Sequence, residues 1–190
     1  MNRLETINKT VDNFQKVLDK FPEFRYAGDP ILRQKTQPVS FAEGVKIGRS
    51  LGEVLVSYRK LVGYGRGLAA PQIGLDKSVF VTFLDDEVQI YLNPVIKYSS
   101  NEINYYRELC LSSGIFWGDI PRPAHITMEW TDIKGNLISK DFDSFLARLL
   151  QHEYYHLKGE LNLDIVLPGS LEIVIDDPLK ESLREHPLKS

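Results

Sequence analysis

At 190 residues, with 43% apolar and 26% charged side chains, the chain is long enough for one domain with a hydrophobic core and short for two. A formal net charge of -3 argues against a general nucleic-acid-binding surface. The single cysteine, Cys110, excludes an intrachain disulfide and leaves that residue as a core side chain, a reactive thiol or a metal ligand.

In chain order, Leu4, Ile7, Val11, Phe14 and Leu18 recur at three- and four-residue intervals. They predict an amphipathic helix over residues 3 to 20, closed by Phe21-Pro22. Tyr26 to Pro38, with Asp29-Pro30 inside it, reads as an irregular surface segment. Val45, Ile47, Leu51, Val54, Leu55 and Tyr58 predict a second helix. Gly63-Tyr64-Gly65-Arg66-Gly67 is a flexible approach to Leu68-Ala69-Ala70-Pro71-Gln72-Ile73-Gly74. Ser78 to Phe83 and Glu87 to Leu92 predict strands around an Asp85-Asp86 turn; Asn93-Pro94 interrupts, and Val95 to Tyr98 continues as an extended piece.

Ile126 to Ile133 and Asn136 to Phe142 frame Lys134-Gly135 as a hairpin. Asp143 or Ser144 can cap a helix running to about Lys158, with Gly159 just past its end. Leu171 to Ile175 predicts a short strand, and the tail from Asp177 is weakly helical. No internal repeat, low-complexity tract or linker is evident. The expectation is one α+β domain over residues 1–190, with 1–22 an N-terminal helical segment and 177–190 a weakly structured tail.

No apolar run approaches the ~18 residues of a spanning helix, so no membrane association is expected. The start of the chain is polar and lacks the hydrophobic segment of a secretory signal, and Glu5, Asp12 and Asp19 argue against a transit peptide. The cytoplasm is the expected compartment, with an organellar address left open.

Within the last long helix lies His152-Glu153-Tyr154-Tyr155-His156. Residues four apart on a helix project from one face, so two imidazoles can reach a single ion at ~2.0–2.1 Å. Glu153, beside the first of them, can lean over the ion's open position and carry a proton between water and a leaving group. The bland alternative is a helix surface that happens to hold two histidines.

The third ligand decides the class. Metzincin-type proteases place a histidine where this chain has Asn162. His125 and His186 sit in no ligand-like context, and a thermolysin-type helical glutamate could come only from Glu172 or Glu181. Cys110 remains as a soft ligand that would leave one position for water. Its alternative is a buried small hydrophobe.

Three separated strings then match one family. Gly65-Arg66-Gly67-Leu68-Ala69-Ala70-Pro71-Gln72-Ile73-Gly74, Glu108-Leu109-Cys110-Leu111-Ser112 and Gln151-His152-Glu153-Tyr154-Tyr155-His156-Leu157-x-Gly159 resemble, in order, the G-x-G-L-A-A-P-Q-x-G, E-G-C-L-S and Q-H-E-x-D-H-L-x-G motifs of the peptide deformylases. Weaker echoes are Gly28-Asp29-Pro30-Ile31-Leu32-Arg33, Asn93-Pro94, Pro121-Arg122 and Gly159-x-Leu161-x-x-Asp164, so the pattern runs from about Tyr26 to Val166.

The resemblance implies antiparallel sheets around a central metal-binding helix. It implies removal of the N-formyl group from the initiator methionine of nascent polypeptides, with transient ribosome contact, and one divalent ion held by Cys110, His152 and His156. Ferrous iron is the physiological expectation, with zinc, nickel or cobalt in preparations. Glu153 would be the proton carrier, with the Gln72 amide and the Leu111 N–H as oxyanion donors. Gly65, Arg66, Gly67, Leu109, Trp117, Phe145, Arg148 and Leu149 would line the substrate site.

Four positions depart from the family pattern. Leu109 stands for a glycine and would narrow the groove, and Tyr155 stands for an aspartate that serves the outer shell. A Glu108–Arg122 pair is the expected replacement. Arg66 and Arg148 stand for apolar residues. Either both guanidiniums bend away to water, with only their stems lining the pocket, or the pocket accepts polar or acidic side chains. Two further readings follow: a deformylase-fold protein that binds without turning over, and a zinc endopeptidase independent of Cys110.

Overall fold

The computed structural model describes residues 3–176 and 178–181. The helices are α1 (Arg3–Lys20), α2 (Phe41–Val62), α3 (Ser144–His156) and a final turn, α4 (Pro178–Glu181). The strands are β1 (Gly67–Ala69), β2 (Val79–Leu84), β3 (Glu87–Ser99), β4 (Ile103–Leu109), β5 (Phe116–Pro123), β6 (Ile126–Thr131), β7 (Leu137–Phe142) and β8 (Glu172–Ile173). One antiparallel sheet runs β1-β2-β3-β6-β7 and a second runs β4-β5-β8, so the fold is α+β.

The larger sheet is covered on both faces, which explains why β2 reads Val-Phe-Val-Thr-Phe rather than alternating with polar residues. Val79 and Val81 join Leu51, Leu55 and Tyr58 of α2 in one core. Phe80 turns the other way and packs with Tyr91, Met128 and Trp130 against Ala147 and Leu150 of α3. Each leucine or valine so enclosed contributes roughly 1.5–3 kcal/mol. The opposite side of α3 meets the smaller sheet, where Gln151 Nε2 donates to Pro123 O at 2.9 Å. The motif helix therefore lies between two sheets.

Both hairpins form where the turn residues place them. Asp85 and Asp86 adopt φ of 49° and 61°, a two-residue turn whose twist suits antiparallel strands, and Gly135 takes φ of 86°. Asn93 does not end its strand. At φ 49° it forms a bulge through which β3 continues, while its amide bonds Val39 N and O, each at 2.9 Å.

α2 has a feature the apolar periodicity does not show. Gly44, Gly48 and Gly52 face β3, and an added Cβ at Gly48 would lie 2.3 Å from Ile90 Cγ2. α1 forms as expected but presents another face. Leu4, Val11 and Leu18 are exposed, while Val17 is buried. Phe14 stacks edge-on against Tyr26 and Thr10 Oγ1 donates to Val174 O, and these contacts fix the rotation. At the start of α3, Asp143 is the N-cap residue, yet its side chain makes no capping bond. Gly159 ends the helix at φ 80°, with Arg33 backbone only 2.6 Å from where a Cβ would stand. The predicted tail beyond Glu181 lies outside the described residues.

Candidate metal centre and substrate pocket

β4 delivers Cys110 to the head of a short 3₁₀ turn, Leu111–Ser113, directly opposite α3. Cys110 Sγ lies 3.3 Å from His156 Nε2, and the ligand atoms of Cys110, His152 and His156 all fall within 4.8 Å of one another. Cys110 and His156 are each 1% exposed and the His152 side chain 10%. Helical spacing explains the imidazole pair, whose centroids are 5.0 Å apart. The sulfur comes from the other sheet and is joined to them only by tertiary packing.

The electrostatics suit a cation. Burial pushes the Cys110 thiol pKa up, but the two imidazoles outweigh it and hold the thiol well below its ordinary range. Burial pushes His152 down, whereas the thiolate and Glu108 together raise it to about 10. The thiolate so favoured, facing the two imidazoles, offers its charge to a metal, which would displace the His152 proton on that side. One thiolate and two imidazoles, buried and convergent, fit a single divalent transition-metal ion.

Glu108 is the hub behind this cluster. Its Oε2 lies 2.8 Å from His152 Nδ1, which assigns the proton to Nδ1 and turns Nε2 toward the cluster. Arg122 grips both carboxylate oxygens at 2.8 Å, and Arg148 Nη2 donates to Oε1 at 2.7 Å. Burial alone would raise the Glu108 pKa; Arg122, Arg148 and His152 instead hold it well below the usual carboxylate range. The Glu108–Arg122 pair expected in place of the missing aspartate is thus present, and Tyr155 covers Arg122 with its ring, 5.4 Å from the guanidinium carbon.

Arg148 corrects the expectation that its guanidinium bends to water. It is 2% exposed and donates to Asn104 O and Oδ1, Glu108 Oε1 and Ile120 O. Its terminal donors serve the protein rather than a polar ligand. Arg66 differs: it is half-buried, stacks on Phe145 at 4.8 Å and donates to Leu179 O at 3.0 Å.

Gln72 is fixed by its own turn. Ala69 N donates to Oε1 at 2.9 Å, which aims Nε2 at Cys110 Sγ (3.6 Å) and Ser112 Oγ (3.2 Å). The Glu153 carboxylate lies against Gly67, where a Cβ would be 2.2 Å from Oε1. Burial raises the Glu153 pKa to about 7, with the two imidazoles opposing.

These groups meet in a pocket of about 110 Å³. Gly65, Arg66, Gly67, Gln72, Leu109, Leu111, Phe145, Arg148, Leu149, His152 and Glu153 all line it. Trp117 does not: it is 1% exposed and pairs with Leu109 across β4 and β5, behind the wall. The sequence reading missed Tyr58, Tyr64, Tyr106, Arg107, Pro178 and Leu179. For Tyr106 and Arg107 the adjacent Glu108 string offered a signal; for Pro178 and Leu179 there was none.

A helix bearing His-Glu-x-x-His, joined by a cysteine from a second sheet beside an open pocket, defines a metal-dependent hydrolase of α+β architecture. The comparisons with known proteins agree, and the chain belongs to the polypeptide deformylase family, whose model matches residues 22–169. A peptide deformylase of Pseudothermotoga lettingae is 34% identical over 166 residues, covering 86% of this chain and 92% of the relative. One from Treponema pallidum is 35% identical over 144 residues, covering 75% and 86%. Among solved structures, the Thermotoga maritima peptide deformylase shares 31% identity with a TM-score of 0.68, covering 76% of this chain and 97% of its own. A probable peptide deformylase from Synechococcus phage S-SSM7 gives 30% and 0.68, covering 75% and 97%.

Proposed function

We propose that the protein removes the N-formyl group from the initiator methionine of nascent polypeptides. The whole chain would act as one catalytic domain in the cytoplasm, with a transient approach to the ribosome. The observation that carries this reading is the convergence of Cys110, His152 and His156 within 4.8 Å, with His152 lining the pocket. Cys110, His152 and His156 would hold a divalent ion, ferrous iron in the cell, which would supply Lewis acidity and a water that ionises at neutral pH. Among the described residues, no helix is long and apolar enough to cross a membrane.

The chain's own groups do the rest. Gly67 lets the substrate backbone approach β1, the edge strand of its sheet. Glu153 accepts the proton of the attacking water and delivers it to the departing amine, a shuttle suited to a carboxyl poised near pH 7. Gln72 Nε2 and the Leu111 N–H donate to the developing oxyanion, and the Ala69 contact holds the amide ready before reaction. Phe145, Leu149 and Tyr106 give the methionine side chain apolar surface. The engagement of both terminal nitrogens of Arg148 by Glu108, Asn104 and Ile120 favours this reading over an acidic-side-chain pocket.

Anaerobically prepared protein loaded with iron or nickel should release formate from formyl-methionyl peptides. A chelator should abolish release and re-addition of the metal restore it. Persistent turnover in metal-free protein, or cleavage inside unformylated chains, would overturn the assignment. Gly67→Ala should drive the Glu153 carboxylate from its place, lowering kcat by about tenfold to a hundredfold while the circular dichroism spectrum is unchanged. A wild-type kcat in that variant would show that the close approach is incidental.

A further inference from the structure

We propose that residues 172–176 and 178–181 form a strap across the substrate pocket that screens formylated chains by length, a proposal that rests on the deformylase reading above. The pocket has two lips: Arg66 and Gly67, at the entry to β1, and Arg107 to Leu109, at the end of β4. The strap starts on the second lip. Glu172 and Ile173 pair with Trp117 and Phe116 of β5, and Glu172 Oε2 accepts from Arg107 Nη1 at 3.1 Å. Arg107 is itself held by both oxygens of Asp119, at 2.9 and 3.3 Å. Val174 is buried, donates to Ile115 O at 2.9 Å and accepts from Thr10 Oγ1 at 2.9 Å.

The strap ends on the first lip. Leu179 O accepts from Arg66 Nη2 at 3.0 Å, and Pro178 and Leu179 line the same pocket as Gly67 and Glu153. The described residues of the segment therefore reach both sides of the cavity in which the formylated terminus would lie. Its first end is built into a sheet and tied to α1. Its second end rests on Arg66, which stands on the approach to the edge strand that the substrate would join.

The family model's match stops at residue 169, before this wall begins. A formylated dipeptide can be enclosed beneath the strap. A longer chain, leaving between β1 and β4, meets Leu179 and Arg66 and must displace them, which subtracts from its binding. The side chain that distinguishes this lip, Arg66, thereby acquires a role as the strap's latch.

The test compares kcat/KM for a two-residue and an eight-residue formyl-methionyl peptide on one enzyme sample, so that folding and metal occupancy cancel in the ratio. Chains ending at Glu181 and at Asp176 are measured side by side. Removal of residues 177–181 should raise the long-to-short ratio by about fivefold or more, chiefly through a lower KM for the longer peptide. Arg66→Met in the chain ending at Glu181 should move the ratio the same way, and should add nothing in the chain ending at Asp176. An unchanged or falling ratio on truncation would overturn the strap. Binding of two- and eight-residue peptide hydroxamates, which chelate the ion without being hydrolysed, gives the same comparison without turnover. Absent formate release would then count against the function alone, and equal effects on both hydroxamates against the strap alone.

Discussion

Glu153→Ala should lower kcat for formate release by about 10²–10⁴-fold while bound metal stays stoichiometric. The carboxyl lies against Gly67 at the pocket floor and is not one of the three grouped ligand residues, so its removal takes away the proton shuttle and leaves the cation site. Its pKa near 7 follows from burial, and a group so poised can both accept a proton and return it in one cycle. Glu153→Gln, which keeps the shape and loses the base, should be nearly as slow. Substrate affinity, read from hydroxamate binding to the variants, should change far less than turnover. A Glu153→Ala protein that retained activity within about threefold would move general base catalysis to another group.

Glu108→Ala should be the most damaging single change to stability. One buried carboxylate faces two buried guanidiniums and an imidazole, through contacts of 2.7 to 2.8 Å. Deleting it strands Arg122 and Arg148 in low-dielectric surroundings with no counter-charge at that position. Breaking a buried pair in this way costs about 3–5 kcal/mol, which denaturant titration of metal-stripped protein would read free of metal linkage. Metal affinity should fall as well, by about 10- to 100-fold, because His152 loses the acceptor that orients its ring. Arg148→Met should cost less, since Glu108 keeps Arg122 and His152. If Glu108→Ala lost under about 1 kcal/mol, the cluster would have to be held by packing alone.

Much of the centre was legible in the sequence because its parts are local. His152, Glu153 and His156 follow from helical period, and Gln72 and Gly67 belong to one contiguous string. Cys110 was reachable only by elimination and by likeness, since its meeting with α3 is made by a sheet lying across the helix. The strands β4 and β5 went unread. Tyr106, Arg107 and Glu108 line the pocket and Arg122 sits in its charge network, so these strands carry groups placed for the site instead of an apolar alternation. The same cause explains Arg148. In isolation an arginine on a helix beside leucines reads as solvated, and only its distant partners Asn104, Glu108 and Ile120 make burial tolerable. Rotation of α1 was likewise set by remote contacts, Tyr26 and Val174, beyond the reach of its own periodicity.

The row of glycines on α2 has a mechanical consequence. Where Gly44, Gly48 and Gly52 touch Val39, Ile90 and Val88, the separation of helix and sheet is set by hydrogen atoms, with no methyl available as a spacer. Further along the same rod, the ring of Tyr58 sits 3.0 Å from where a Cβ on Gly65 would stand, directly under the loop that opens the pocket. Widening the gap at the glycines would shift that ring, and with it the Gly65 rim of the pocket. Tolerance to substitution at these positions is therefore governed by catalytic alignment as well as by core volume.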